Sequence, residues 1–398
     1  MADNKDKKVL NVPALRFPEF SGEWNTSSIG EQFELYSGNT PSRMDKKQFD
    51  GTINWITSGE LKEHYIADTK EKISDEAVKS NNLKLLSVGT FVIAIYGLEA
   101  DGVRGTCSIT ASESTISQAC MAFISKKDIA NEFLYAWYKK HGNIIGIRYA
   151  QGTKQQNLSY DIIEKFNISY PCIEEQKKLI HFISLIDERI VTQNKIIEKL
   201  ETLIKGIVEL SFNHAATSDT LGCHITQISQ RNKNGKDLPV LSVSNKHGFV
   251  EQSEQFEDRI IASDDKSNYK IVSINDFAFN PARINVGSIA RLKDKECGIV
   301  SPMYICFRTS KNILPEYLEL FFKTVTFSSE VVKRLEGSVR LCLSYESLCE
   351  IVIPVISIKE QQSLVKMATA FYSKLDVEKS FLRSYQSQKQ YLLSQMFI

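Results

Sequence analysis

The sequence predicts an α+β chain. Two tandem mixed α/β domains are separated by two long helices that pair as an antiparallel coiled coil, with an internal pseudo-twofold repeat. Three observations predict it. Residues 157–179, NLSYDIIEKFNISYPCIEEQKKL, return about 185 residues later as residues 342–364, CLSYESLCEIVIPVISIKEQQSL. A long heptad seam follows each copy. Ahead of each copy lie short β-branched and aromatic runs divided by turn residues.

The repeat runs without a gap from residues 152–212 onto residues 337–397. Leu-Ser-Tyr, Ile168/Ile353, Ile173/Ile358, Glu-Gln, Leu179/Leu364 and Phe212/Phe397 coincide. Fainter echoes lie upstream at Ile29-Gly30 and Leu221-Gly222, and at Glu132-Phe-Leu134 and Glu316-Tyr-Leu318. Strands are expected at 53–57, 90–96, 119–125, 240–243, 276–280 and 303–308, where β-branched and aromatic residues cluster. Helices are expected at 131–141 and 315–326, where a Phe/Tyr-Leu stripe recurs at helical spacing.

From residue 174 to residue 211 there is no Pro and a single Gly. Leu179, Ile183, Ile186, Ile190, Ile197, Leu200 and Ile204 alternate steps of four and three, a coiled-coil seam broken only by Gln193. Gln193 either sets helix register or sits at a rim. The shifted seam, with Leu364, Phe371, Leu375, Leu382, Tyr385 and Leu392, is weaker but mostly apolar. Such seams need a partner, and each helix is expected to find it in the other, the alternatives being its own domain or a second chain. The division expected is 1–173 (first domain), 174–213 (central helix), 214–358 (second domain) and 359–398 (C-terminal helix).

Of the 398 residues, 42% are hydrophobic, enough for real cores. No apolar run approaches the roughly 18 residues of a membrane span, and MADNKDKK lacks the apolar heart of a signal peptide. A cytoplasmic location is expected. The eight cysteines include no CxxC pair and the six histidines no HxxxH, so reduced thiols and no metal site are expected. The net charge of +1 does not announce a free-standing nucleic-acid binder.

Several segments nevertheless resemble one family in its own order. VPALRFPEFSGEW (12–24), INWITSGEL (53–61), TISQAC (115–120), FNPARINVGSIA (279–290), the Leu-Ser-Tyr…Glu-Gln-Lys-Lys-Leu stretch and LLSQMFI (392–398) are similar to segments of specificity subunits of Type I restriction–modification systems. The resemblance implies a non-catalytic subunit with two target-recognition domains. Each domain would read half of a bipartite double-stranded DNA target, with the helices setting the gap. It also implies two methyltransferase subunits docked on the helices and two restriction/translocase subunits beyond them. S-adenosylmethionine, ATP and Mg would belong to those partners, with no cofactor in this chain. The assembled complex would be an adenine-specific methyltransferase and ATP-dependent endonuclease. A coiled-coil protein-binding adaptor, or the specificity subunit of a Type II-like fused system, are the alternatives.

Base edges are read by Arg or Lys on guanine and by Asn or Gln on adenine, with Ser or Thr on either. The loop 152–157 offers Thr153, Lys154, Gln155, Gln156 and Asn157, whereas its counterpart 337–342 keeps the Gly, a hydroxyl and Arg340. Two different half-sites need such divergence within a preserved frame, although an ordinary solvated turn fits equally. Arg104 lies in a Gly-rich stretch, 96–106; Asn280, Arg283 and Asn285 lie in the matching one. Thr57, Ser58 and Lys62, and Ser244, Asn245 and Lys246, follow matching strands and are either contacts or turns. Asn280-Pro-Ala-Arg283 lacks the second Pro and the aromatic of an adenine-methyltransferase tetrapeptide, and no Gly-rich cofactor loop precedes it. Methyl transfer and nuclease chemistry by this chain are therefore not expected.

Overall fold

The structure is a computed structural model that describes residues 10–97, 105–126, 128–150, 156–213, 217–245, 247–252, 266–337 and 340–398. It divides into two compact units. Unit 1 comprises residues up to Gln193 together with Phe381–Ile398, and unit 2 comprises Asn194–Ser380. Helices are numbered along the chain: α1 (Ile29–Gln32), α2 (Asp75–Ser80), α3 (Asn131–Tyr149), α4 (Tyr160–Ile163) and α5 (Ile173–Asn213). After these come α6 (Pro315–Phe321), α7 (Val325–Lys333), α8 (Tyr345–Cys349) and α9 (Ile358–Met396).

Unit 1 is built on a five-stranded sheet in the order Phe33–Ser37, Cys120–Ser125, Phe91–Ala94, Cys107–Thr110, Tyr65–Ile66. The strand Phe91–Ala94 is buried throughout because both of its faces are covered. Phe91 and Ile93 face the cluster that includes Phe123, Phe133 and Tyr138, while Val92 and Ala94 join Ile56, Ile66 and Leu86. A strand covered on both sides reads as a continuous apolar run, which is how this one appears in the sequence. A three-stranded sheet, Lys72–Ile73, Ile53–Ile56, Ser114–Ile116, lies beside it, with Trp55 fully buried.

Unit 2 carries two four-stranded sheets. One is ordered Ile225–Ile228, Ile305–Thr309, Phe277–Phe279, Ile289–Arg291; the other Gly248–Glu251, Val240–Ser244, Cys297–Val300, Lys270–Ser273. Phe277 stacks on Phe307 at 5.2 Å, and Phe322 meets Phe277 edge-on at 5.6 Å.

Both units repeat one entry device. In unit 1 the strand Asn25–Ser28 pairs with Asn167–Tyr170; in unit 2 Ser218–Thr220 pairs with Val352–Pro354. The glycine that follows each pairing leaves little room for a side chain: a Cβ on Gly30 would stand 3.2 Å from Glu164 Cβ, and one on Gly222 3.0 Å from Cys349 Cβ.

The long helices take part in both units. In unit 1, Leu179 and Ile183 of α5 share a core with Leu392 and Met396 of α9. Arg189 lies 5.7 Å from the Tyr385 ring, and Lys389 pairs with Asp187. Early α5 thus meets late α9, an antiparallel pairing. In unit 2, Glu201 pairs with Lys379 at 2.6 Å, while Ser211 shares a hollow with Leu364. The helices run antiparallel there too. At 1.5 Å per residue each helix is about 60 Å long.

Two helices end differently from the sequence expectation. The stretch expected to stop at residue 141 continues to Tyr149, because Gly142 lets the backbone pass Gly105: a Cβ on Gly142 would sit 2.7 Å from Gly105 Cα. The stretch expected at 315–326 breaks in two at Thr324. Its hydroxyl donates to Phe321 O and accepts from Phe327 N, capping α7.

Candidate nucleic-acid interface

The candidate residues in unit 2 come together. The turn 280–288 is pinned at its base, where Asn280 N donates to Ser288 O at 3.0 Å and Asn280 Oδ1 accepts from Ala282 N at 3.1 Å. Asn280 is thereby buried, and its side-chain oxygen is engaged by its own turn. Ile284 also points inward, while Arg283, Asn285 and Val286 face solvent. Gly287 ends the turn at φ +88°, where an L side chain would be strained. It approaches Asn245, whose Cβ lies 3.7 Å from where a Cβ on Gly287 would be. Ser288 Oγ donates to Val243 O at 3.1 Å, which fixes the strand that presents Ser244 and Asn245. On the other side, Leu343 N donates to Pro281 O, and the Glu336–Cys342 bridge closes the loop that carries Arg340. Asn245, Arg283, Asn285 and Arg340 therefore lie on one exposed rim. Among the described residues no ion pair engages Arg283 or Arg340. Lys246 lies outside the described residues.

Beneath this rim runs a groove of roughly 600 Å³ lined by Ser244, Asn245, Gly287, Arg291, Lys293 and Lys323, among others. Its cations are largely spoken for. Arg291 binds Glu316 at 2.6 Å and Glu319 at 3.0 Å, and Lys293 also pairs with Glu319. Burial would raise the Glu319 carboxyl, but Lys293, Lys323 and Arg291 together hold it below the ordinary carboxylate range. Lys293 and Lys323 of the groove are exposed but ion-paired with Glu319, whereas Arg283 and Arg340 on the rim have no ion pair among the described residues.

Unit 1 has the same frame with other residues. Gln156–Asn157 pairs antiparallel with Tyr96–Gly97, and Leu158 N donates to Ile95 O at 2.8 Å, matching Leu343 and Pro281. This brings together the roots of the two stretches that hold Arg104 and Thr153-Lys154-Gln155, which themselves lie outside the described residues. Asn157 is exposed. Thr57 N and Oγ1 both donate to Glu60 Oε2, so this hydroxyl is engaged by the short turn Ser58–Glu60; Ser58 is half-buried and Lys62 exposed.

Of the seam residues, Leu179, Ile183, Ile197, Ile204, Leu364, Leu375 and Leu392 are buried, and Ile186, Ile190, Leu200, Phe371, Leu382 and Tyr385 half-buried. Gln193 is buried, and so is Glu378, the position 185 residues on.

Sequence reasoning missed the side chains that fix each long helix to its unit. Gln176, fully buried, accepts from Ala130 N at 3.0 Å and donates to Asp128 O and Pro171 O. Gln361 does the same with Leu314 N, Asn312 O and Ile356 O. Each amide satisfies the N–H of the neighbouring helix's N-cap residue while tying down the strand-to-helix corner. The Glu-Gln doublet in both copies was the available signal. At the other ends, Phe397 packs on Phe133 at 5.2 Å and Phe212 on Tyr317 at 4.8 Å.

Burial pushes the Cys107 thiol up to about 11 and Cys120 to about 12, which keeps both protonated at neutral pH. Among the described residues no group of His, Cys, Asp and Glu could hold a metal ion, and no helix is long and apolar enough to cross a membrane.

Residues 21–202 match the family described as Type I restriction modification DNA specificity domain. Through these residues, a little under half of the chain, it is similar to that family. Similar proteins include the Type I restriction enzyme MjaIX specificity subunit of Methanocaldococcus jannaschii, 28% identical over 185 residues, 45% of this chain and 42% of that one. The EcoR124I/EcoR124II specificity subunit of Escherichia coli is 27% identical over 52% of this chain and 48% of its own length. The chain thus spans about half the length of the curated relatives it matches. Across nearly all of its length it has the fold of solved Type I chains. The S subunit from M. genitalium aligns at TM-score 0.57 and 17% identity, covering 97% of this chain and 99% of that one. A chain from a structure titled for complex assembly and conformational transition of the type I R-M system aligns at 0.61 and 13%, covering 94% and 97%.

Proposed function

We propose that this chain is the sequence-recognition subunit of a Type I restriction–modification complex. Residues 1–173 and 214–358 each read one half of a bipartite duplex target. Residues 174–213 and 359–398 set the gap between the halves and dock methyltransferase subunits. The chain carries no cofactor of its own and no catalytic site. S-adenosylmethionine, ATP and Mg belong to two modification and two restriction/translocase subunits, and the complex works in the cytoplasm.

One observation carries this reading: the two units share a frame, and the sequence hangs different polar residues on it. Unit 2 offers Asn245, Arg283, Asn285 and Arg340 on a rim, and Arg next to Asn suits guanine and adenine edges in the major groove. Unit 1 offers Asn157 on the matching frame, with Thr57, Ser58, Lys62, Arg104 and residues 153–156 as further candidate contacts. Divergent contacts on a duplicated scaffold are what two unlike half-sites require. The near-neutral net charge fits a subunit whose partners supply much of the phosphate neutralisation.

The test is to replace residues 16–173 with the matching domain of another family member and map modified adenines across a genome. One half of the recognised sequence should change and the other should stay. A change in both halves would contradict modular readout, and modification without sequence preference would favour the protein-binding adaptor.

A further inference from the structure

The two units differ at one place where the repeat leads one to expect likeness. In unit 1 the arm that precedes the first strand crosses a hollow between the start of α5 and the end of α9. Arg16 clamps Glu175 with two bonds, Nε to Oε1 at 2.8 Å and Nη2 to Oε2 at 2.7 Å. Phe17 meets Phe182 edge-on at 5.7 Å, Lys178 lies 4.7 Å from the Phe17 ring centre and pairs with Glu19, and Leu15 N donates to Gln395 O at 3.0 Å. Under this cover Glu175 is fully buried.

Moved on by about 185 residues, Glu175 becomes Glu360, Lys178 becomes Ser363, Phe182 becomes Met367 and Gln395 answers to Leu210. In unit 2 Glu360, Ser363 and Met367, with Ser211, Ile356 and Leu364, line a hollow of roughly 490 Å³, and Leu210 precedes Ser211. Met367 is 39% exposed and Leu210 57%. Among the described residues no second arm lies there. Four residues separate the end of α5 at Asn213 from the strand that begins at Ser218, whereas in unit 1 residues 10–24 precede the matching strand at Asn25.

We propose that this hollow in unit 2 is the docking site for an extended segment of a partner chain carrying an arginine followed by an aromatic, the chemistry that residues 16 and 17 bring to unit 1. Glu360 supplies the carboxylate for the arginine. Its Oε2 also accepts from Ser357 N and Oγ, as a helix-capping residue, which holds the carboxylate at the rim. Met367, flexible and polarisable, replaces Phe182 as the surface for the aromatic ring. Ser363 in place of Lys178 removes the partner of Glu19, so the incoming segment needs no acid two residues after its aromatic.

A fluorescent peptide of residues 10–24, LNVPALRFPEFSGEW, titrated into the full chain tests this without DNA. The expected result is saturable binding of one peptide per chain. Met367→Asp and Ser363→Arg, both at exposed surface positions, should each weaken it about tenfold, as should reversing the peptide's Arg16 to Glu. A photoreactive group at the peptide's Phe17 position should label α9 near Met367. Absence of saturable binding, unchanged affinity in both variants, or labelling confined to α5 around Phe182 would overturn the proposal. None of these outcomes bears on the DNA-recognition reading.

Discussion

Gln176 and Gln361 show how much one amide can hold. Each buried amide makes three hydrogen bonds joining a long helix to the helix start beside it. Leucine at either place would keep the volume but leave a half-buried N–H and two carbonyls without these partners. The cost should be about 2–4 kcal/mol for either substitution, read as a drop in denaturation midpoint; a loss below about 0.5 kcal/mol would deny the amide this role. His141 gives a pH prediction. Burial lowers its imidazole below the ordinary 6.5, outweighing the bond its Nδ1 donates to Trp137 O at 2.9 Å. A depressed folded value means that the unfolded chain takes up the proton first, so stability should fall as pH drops from 6.5 towards the folded value. An NMR titration of His141 should show a midpoint under 6.5; one above it would reject the assigned burial effect. At this scale the sequence was only partly legible. Asn280, Arg283 and Asn285 could be named as a group, but that Asn280 turns inward to hold Ala282 N depends on backbone geometry that spacing does not encode. Gln176 was visible only as a repeated Glu-Gln.

Strands and helices were far more legible, for a physical reason. The run Phe91–Ala94 announces itself because both of its faces are buried, and the α5 seam because one stripe must be covered for some 60 Å. Missing from the sequence was the outcome of close backbone approach: Gly142 against Gly105 prolongs α3, and the Thr324 cap interrupts what reads as one helix. If the paired helices act as a ruler, matched seven-residue insertions after Ile197 and Leu382 should lengthen the unread gap in the DNA target. Seven residues add about 10 Å, roughly three base pairs of B-DNA. Methylation mapping would show the longer gap; an unchanged gap in an active complex would count against the ruler.

For the molecule as a whole, each unit draws on stretches far apart in sequence. Unit 1 includes Phe381–Ile398, whose Leu392, Met396 and Phe397 pack with Leu179, Ile183 and Phe133. Lys140 Nζ donates to Ser394 O at 3.1 Å and Phe397 O at 2.5 Å, capping the end of α9, and burial draws its ammonium below the ordinary value. Ending the chain after residue 380 should therefore unfold or loosen unit 1 while sparing unit 2. Limited proteolysis should cut first within residues 105–190; preferential cutting in 217–357 would refute that order. The twofold plan was legible from the repeat. The sharing of both long helices by both units was not, because the repeat marks likeness and not which copy a segment joins.

The dependence of unit 1 on its last eighteen residues also has a consequence for biosynthesis. A ribosome making about 5–20 residues per second needs roughly 10–40 s after Gln193 to deliver Phe397. Throughout that interval the apolar faces of Leu179, Ile183 and Phe133 wait for their lid, whereas Gln361 and Phe212 can close the second lobe as soon as its own stretch emerges. The lobe translated first is completed last, and in that interval it is the natural client for a chaperone.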